Sequence, residues 1–367
     1  MNAELIYQLA LTLIPNIGDV HSKILVQHFG NASAIFKASQ TTLEKIEGIG
    51  TVRAKSIKEF NDFDRAEKEI AFIEKFNIKT LFLTDKDYPQ RLLHCYDSPT
   101  LLFHKGMADL NTSKVLAVVG TRNSTDYGKS FTEKLIKDLS KENILIVSGL
   151  AYGVDAIAHK AAIKNSLPTI GVVGHGLDKI YPAEHTHLAK DIIKHNGGIL
   201  TEFFSNTKPD KHNFPLRNRI VAGMSDATVV IETTVKGGSM ITAKLADAYN
   251  RDVFAVPGKT TDTKSMGCNH LIKHNQAILL SNADELLEVM GWKEKQKGKI
   301  KKQKELFIEL SADEKQIIQL LQKKEVVHID EINFHSGLSN SAIAAAILNL
   351  ELQNVVASLP GKIYKLL

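Results

Sequence analysis

VLAVVGTRNSTDYG, Val115 to Gly128, runs through an amphipathic segment into ILIVSGLAYGVDAIAH, Ile144 to His159. Val115–Val119 and Ile144–Val147 are short, wholly apolar runs that stop at small residues. That is the pattern of strands buried on both faces of a parallel sheet. Between them, residues 128 to 141 place Phe131, Leu135, Ile136 and Leu139 at helical spacing. The unit is strand, helix, strand. Gly120-Thr121-Arg122 and Ser148-Gly149 mark the two carboxyl ends, outside which ligands of open α/β sheets gather. Neither end carries G-x-G-x-x-G, and G-x-x-x-x-G-K-[ST] occurs nowhere in the chain. What stands there is a glycine permitting close backbone approach, a hydroxyl and an arginine. Gly174-His175-Gly176 and Gly237-Gly238-Ser239 repeat the theme. Several glycine-rich turns with scattered arginines suit a polyanion laid across the edge better than one dinucleotide in a crevice.

Working outward, further strands are expected at Thr169–Val173, Gly198–Thr201, Ala227–Ile231, Val253–Val256 and Ala277–Leu280, with helices between most of them. Residues 114–292 are thus a doubly wound, Rossmann-like α/β core. Before it, residues 63–113 read as a connecting segment, with a helix at Asp64–Phe76 and a strand at Thr80–Leu83. Residues 1–62 are helical, with similar turns at Ile14–Gly18 and Ile46–Gly50. In the second turn, Gly48 and Gly50 precede a helix carrying Arg53 and Lys55, which resembles a helix-hairpin-helix. There, backbone N–H groups at a turn and helix start hold a phosphate oxygen. The other reading is a tight turn between packed helices. After the core, residues 293–308 are lysine-rich and too poor in apolar residues to bury a core, a tether. Residues 309–367 read as three helices, the first opened by a Ser311–Glu314 capping box, then a hairpin: a winged-helix-like domain. No Lys or Arg occurs from Glu325 to Gly361, so this domain is expected to contact protein rather than read DNA, which needs cations for phosphates.

With 367 residues, several domains are expected. Lys plus Arg number 46 against 41 Asp plus Glu, a net charge of +5, which permits a nucleic-acid partner without identifying one. Cys95 and Cys268 stand alone, which argues against a disulfide framework or a zinc site. With neither a signal peptide nor a long apolar run, a cytoplasmic protein with no membrane partner is expected.

The densest basic and aromatic cluster is PDKHNFPLRNR, Pro209 to Arg219. Lys211, Arg217 and Arg219 can neutralise phosphates and Phe214 can stack a base, as single strands are held without sequence reading. Alternatively Phe214 is core and the arginines pair internally. Arg217 and Arg219 cannot both face one direction on a helix. Arg122 is a phosphate or base contact, or an ion-pair partner. Ser148, Gly149 and Gly153 sit where a strand turns into a helix, fit for a phosphate or for close packing. Asp155 with His159, and His185 with His187, are short of metal ligands. Buried hydrogen bonding is expected for the first pair and surface exposure for the second.

In one order stand Val119–Arg122, Ser148–Asp155 with Ala158-His159, Gly176–Asp178 with Tyr181-Pro182, Phe214–Ile220 and Gly238–Ala243. This series, spanning about Asp87 to Trp292, resembles the DprA (Smf) family of bacterial DNA-processing proteins. The resemblance implies single-stranded DNA binding and RecA recombinase loading in natural transformation. It also implies homodimers through the core, no cofactor and no catalysis. On it, the DNA contacts are Arg122, Ser148, Gly149, Gly153, Gly174, Gly176, Lys211, Phe214, Arg217, Asn218, Arg219, Gly237, Gly238 and Ser239. The segment from Arg217 to Lys244 also resembles the "lysine decarboxylase-like" nucleotide phosphoribohydrolases. Their turn, P-G-G-x-G-T-x-x-E, is matched only in its two leading glycines. Lys244 falls at the catalytic glutamate, where a carboxylate is needed to assist water or stabilise positive charge. Glu232, at a strand end nearby, is the remaining candidate acid.

Overall fold

The structure, a computed structural model, describes residues 3–293, 310–324, 326–353, 355–359 and 362–367. Strands of two to six residues form one mixed sheet. Its strands are β1 Lys79–Phe82, β2 Leu101–Gly106, β3 Val115–Val119, β4 Leu145–Ser148, β5 Thr169–Val172, β6 Gly198–Thr201, β7 Ala227–Val230, β8 Asp252–Ala255 and β9 Ile278–Leu279. Their spatial order is β1-β2-β6-β5-β4-β3-β7-β8-β9. β3 to β9 run parallel, while β1 and β2 extend one edge antiparallel. From β3 the chain steps through β4 and β5 to β6, then returns to β7 on the other side of β3. This reversal is the topological switch point, where the loops after β3 and β7 diverge and leave a crevice.

The continuous apolar character of β3 has a direct cause. Val115, Ala117 and Val119 face one core cluster, while Leu116 and Val118 face the other. The N-terminal helices are α1 Ala3–Leu11, α2 Asp19–Phe29, α3 Ala32–Lys37, α4 Gln40–Glu44, α5 Gly50–Glu59 and α6 Asp64–Phe76. The short α7 Gln90–Leu93 precedes β2. Between the parallel strands come α8 Asp126–Asp138, α9 Val154–Lys164, α10 Thr186–Lys194, α11 Asn213–Gly223, α12 Gly238–Ala248, α13 Met266–Lys273 and α14 Ala283–Val289. α8, α9 and α14 cover one face of the sheet around Leu116 and Val118. α11, α12 and α13 cover the other, in one core that continues into the N-terminal helices. Met1–Lys293 accordingly form one compact unit. The segment 63–113, expected as a connection, supplies β1 and β2 to the same sheet. The helix expected over residues 128–141 starts earlier, at Asp126, capped by the Thr125 side chain on Gly128 N–H, and tightens to a 3₁₀ turn over Leu139–Glu142.

Glu294–Leu367 form the second unit. Ser311 and Glu314 make the expected reciprocal capping box at the start of α15 Ala312–Leu321. Then come β10 Val327–His328, α16 Ile329–Ser336, α17 Asn340–Leu352, β11 Val356–Leu359 and β12 Ile363–Leu366, with strand order β10-β12-β11. Ile317, Ile332, Ile343, Ile347 and Leu350 close its own small core. The arrangement is a winged helix. The tether expected over residues 293–308 lies, apart from Lys293, outside the described residues. So does the Pro360-Gly361 turn of the hairpin. No helix among the described residues is long and apolar enough to cross a membrane.

Candidate nucleic-acid interface

The crevice at the switch point holds a cavity of about 350 Å³ lined by the ends of β3 and β7 and by α11 and α12. On the β3 side, Thr121 N–H donates to Glu232 O at 2.7 Å, which joins the two strand ends. Arg122 follows and projects exposed, without an ion-pair partner among the described residues. Its guanidinium carbon lies 5.6 Å from the centroid of the Phe214 ring. Phe214 is half-buried in the first turn of α11. Gly174 lets that turn approach, since a Cβ there would stand 3.3 Å from both Asn213 O and Phe214 Cδ1. Gly153 lies behind the Arg122 loop. It has φ +73°, and a Cβ on it would come within 2.2 Å of Thr121 O. Only glycine combines that φ with that contact.

Arg217 is buried, with 7% of its surface exposed, and lines the cavity floor. Its Nη1 donates to Val172 O at 3.0 Å. Gly149 makes room for it, because a Cβ there would stand 1.6 Å from Nη1. Burial presses the Arg217 guanidinium below its usual pKa, Asp155 opposes that, and Arg122 adds to it. Burial likewise raises the Asp155 carboxyl, which Arg217 and the Ala151 N–H hold back. Two guanidinium groups therefore press on one another beside the cavity, with one buried carboxylate to offset them. An anion placed between them relieves that repulsion. At the opposite wall, α12 begins at Gly238 behind Gly237 with no side chain capping it, and a Cβ on Gly238 would meet nothing within 4 Å. An open, uncapped helix N-terminus presents backbone donors to negative charge. Ser239, Thr242 and Asn218 complete the lining.

The structure thus brings Arg122, Gly149, Phe214, Arg217, Asn218, Gly237, Gly238 and Ser239 to one cavity. Gly174 lies on the adjoining recess with Arg122, Phe214 and Arg217. Lys211 is exposed on the loop leading into α11, with no ion-pair partner among the described residues. Other candidates stand elsewhere. Ser148 is buried, and its Oγ donates to Val118 O at 2.6 Å, a bond between neighbouring strands. Gly176 packs against the Phe204 carbonyl, 2.4 Å from where its Cβ would be. Arg219 points away from Arg217, as helical spacing requires. Its guanidinium is engaged by Asp19, at 2.9 Å, by Glu202 and by the Asp97 carbonyl.

Glu232 is buried and accepts from Thr125 N–H at 2.9 Å and from the Thr125 hydroxyl, so its carboxylate anchors the start of α8. His159 Nδ1 stands 2.7 Å from Thr169 Oγ1, which itself donates to Ile146 O, so the ring donates. Burial holds its pKa down to about 3. His185, expected at the surface, is buried instead, with Nδ1 2.8 Å from Leu150 O and its ring edge-on to Tyr152. Among the described residues no cluster of His, Cys, Asp or Glu can hold a metal.

In the N-terminal helices, Gly48 and Gly50 have φ of +85° and +60° and form the exposed second turn. Arg53 folds back onto Asn16 O and Gly48 O, both at 3.2 Å, and ties the two turns together. Lys55 pairs with Glu59 at 3.6 Å on the surface. The first turn faces the core, where Asp19 at the start of α2 accepts from Thr100 and Arg219. Sequence reasoning also passed over Tyr181. It stacks on Phe214 with ring centroids 6.1 Å apart at 28°. Its signal was its place in the motif after Gly176–Asp178, on a loop of the same sheet edge.

Comparison with known proteins agrees with this architecture part by part. A family model described as DNA recombination-mediator protein A matches residues 79–291. The DprA winged helix domain matches residues 304–362, and a helix-hairpin-helix motif matches residues 7–70. Protein Smf of Synechocystis is 38% identical over 298 residues, covering 79% of this chain and 73% of its own. DNA processing protein DprA of Streptococcus pneumoniae is 42% identical over 206 residues, 56% of this chain and 72% of its own. The crystal structure of the pneumococcal protein superposes with a TM-score of 0.66 at 34% identity, covering 77% of this chain and 96% of that one. DNA processing protein A from Helicobacter pylori, described for its single-stranded DNA binding mode, gives 0.53 at 33% identity, covering 59% and 96%.

Proposed function

The chain belongs to the DprA (Smf) family of DNA recombination mediators, and from that premise we propose that it holds single-stranded DNA across the switch-point edge. There it protects the strand and loads RecA recombinase onto it in transformation or recombination. The observation that carries the reading is the cavity itself. An exposed, unpaired Arg122 stands over Phe214, a buried Arg217 repels it, and the uncapped start of α12 closes the far wall. Cations neutralise phosphates, glycines admit the backbone, and an aromatic face takes a base without reading it. The family's work supplies the substrate class, and the H. pylori relative is described as binding such strands.

Arg122→Ala and Phe214→Ala, each checked for folding and titrated with oligothymidine at two salt concentrations, test this. Loss of the stacking ring is expected to weaken binding by about 1–3 kcal/mol. Loss of Arg122 is expected to lower affinity for all sequences and flatten the log–log salt slope by about 0.7 per phosphate contact. Wild-type affinity in both folded variants refutes this placement of the strand. A non-catalytic role goes with it: Lys244 stands where a glutamate is needed, and Glu232 is engaged by Thr125. Release of adenine from AMP that disappears in Arg217→Ala would overturn that part.

A further inference from the structure

Beside the main cavity lies a smaller recess that Arg122, Phe214 and Arg217 also line, so these side chains form a wall between the two. The far side of the recess is aromatic. Tyr181 is 46% exposed and stacked on Phe214, and Tyr152 is 42% exposed. Tyr152 donates its hydroxyl to Glu184 Oε2 at 2.6 Å, which fixes that ring at the rim. The Tyr181 loop is fixed too: its N–H donates to His175 Nε2 at 3.1 Å, while the other ring nitrogen of His175 bonds Gly176 O. An exposed aromatic ring on a backbone held this way has no packing reason to stand nearly half in solvent. The Tyr181 ring stacks on that of Phe214 with the two planes 28° apart. The two centroids are 6.1 Å apart, less than two stacking spacings of about 3.4 Å. A base therefore does not slip between them; it rests on a free ring face.

We propose that Tyr181 is a second base-stacking position, so that the strand leaves the main cavity over the Arg122–Phe214 wall and continues across Tyr181 toward Tyr152. This rests on the single-strand reading above and adds one nucleotide to its track. The site takes any base, because every base offers a π face.

The test compares Tyr181→Ala and Tyr181→Phe in the full-length protein, each verified by melting, against oligothymidine and against the same oligomer with one abasic residue moved along it. Tyr181→Ala is expected to weaken binding by about five- to 150-fold, and Tyr181→Phe to stay within twofold of wild type. One abasic position is expected to cost the wild type affinity and to cost Tyr181→Ala nothing further, since the partner ring is gone. If Phe214→Ala and Arg122→Ala bind weakly while Tyr181→Ala binds as wild type, this inference fails and the single-strand reading stands. If all three bind as wild type, both fail. Additive abasic and Tyr181→Ala losses also overturn it.

Discussion

At the residue scale, the edge separates groups left free for a ligand from groups that make room. Arg122 is exposed and bonded to nothing that folding needs, whereas Gly153 behind it holds φ +73° against the Thr121 carbonyl. The two positions should respond differently to loss and gain of atoms. Gly153→Ala adds a Cβ where 2.2 Å separates it from backbone oxygen, at a φ that L-residues avoid. It is expected to destabilise the fold by more than about 1 kcal/mol and to weaken DNA binding by displacing the loop. Arg122→Ala is expected to leave the melting temperature unchanged. Thermal unfolding of the two variants side by side checks this, and an unshifted melt for Gly153→Ala removes the argument. The same contrast explains what was legible. Gly120-Thr121-Arg122 announced itself because a wholly apolar run ended in it. Ser148 stood at an equivalent strand end, but its hydroxyl serves the neighbouring strand, which no local pattern reveals.

At the element scale, α11 is a two-faced lever. Phe214, Arg217 and Asn218 turn to the cavity, while Arg219 reaches into a cluster of Asp19, Asp97 and Glu202 that fastens α2 to the core. Helical spacing made it readable that the two arginines diverge. Which one faced the cavity was not readable, because the groups that settle it, Asp19, Asp97 and Glu202, come from separate segments, Asp19 200 residues away in sequence. Burial raises the Glu202 carboxyl from 4.5 to about 7, with Arg219 opposing and Asp19 and Asp97 adding. The folded protein then holds a proton on Glu202 that the unfolded chain releases. This contribution to stability is fully present below about pH 4.5 and is lost as pH rises through about 7. Glu202→Gln carries no such titration. Its melting temperature is expected to gain on the wild type between about pH 5 and pH 7 and to level off above that, with oligothymidine affinity unchanged. Parallel melting profiles would sink the assignment. Comparing variant with wild type is necessary because buried His104 and His159, held down to about 4 and 3, tilt both profiles the other way.

At the scale of the molecule, alternation of apolar strands and helices made the doubly wound core legible. The antiparallel edge was less so, because β1 and β2 precede the core in sequence and join it only through β6. The expected dimer surface shifts for a similar reason. Of Leu245–Val256 and the expected helix Ala283–Met290, which the sequence offers as apolar surface for a dimer at the end of the sheet, Val253–Val256 are buried in and around β8. What that end of the sheet exposes is Ile278 and Leu279 on the edge strand β9, with Val289 on α14. An edge strand with exposed apolar residues pairs readily with another copy, so we propose that the homodimer expected through the core forms at β9. Light scattering at micromolar concentration is expected to show twice the chain mass, and Ile278→Lys to halve it; a monomeric wild type ends the idea.

The winged helix gives the last expectation. Winged helices commonly enter DNA with a helix equivalent to α17, yet no Lys or Arg stands between Glu325 and Gly361. What α17 exposes is Leu348 at 56% and Leu352 at 73%, and α16 adds Phe334 at 82%. Phosphate contact draws its free energy from counterion release by cations, and an apolar face releases none. Exposed apolar side chains of this size instead mark protein contact. Removing the residues after Lys304 is therefore expected to leave single-stranded DNA affinity within a few-fold and the salt slope unchanged, while Arg122→Ala in the same shortened chain still weakens binding. The unit up to Lys293 has its own core, so the shortened chain can be checked by its melt. A loss as large as that from Arg122→Ala in the full chain, together with a shallower salt slope, would mean that the winged helix contributes phosphate contacts after all.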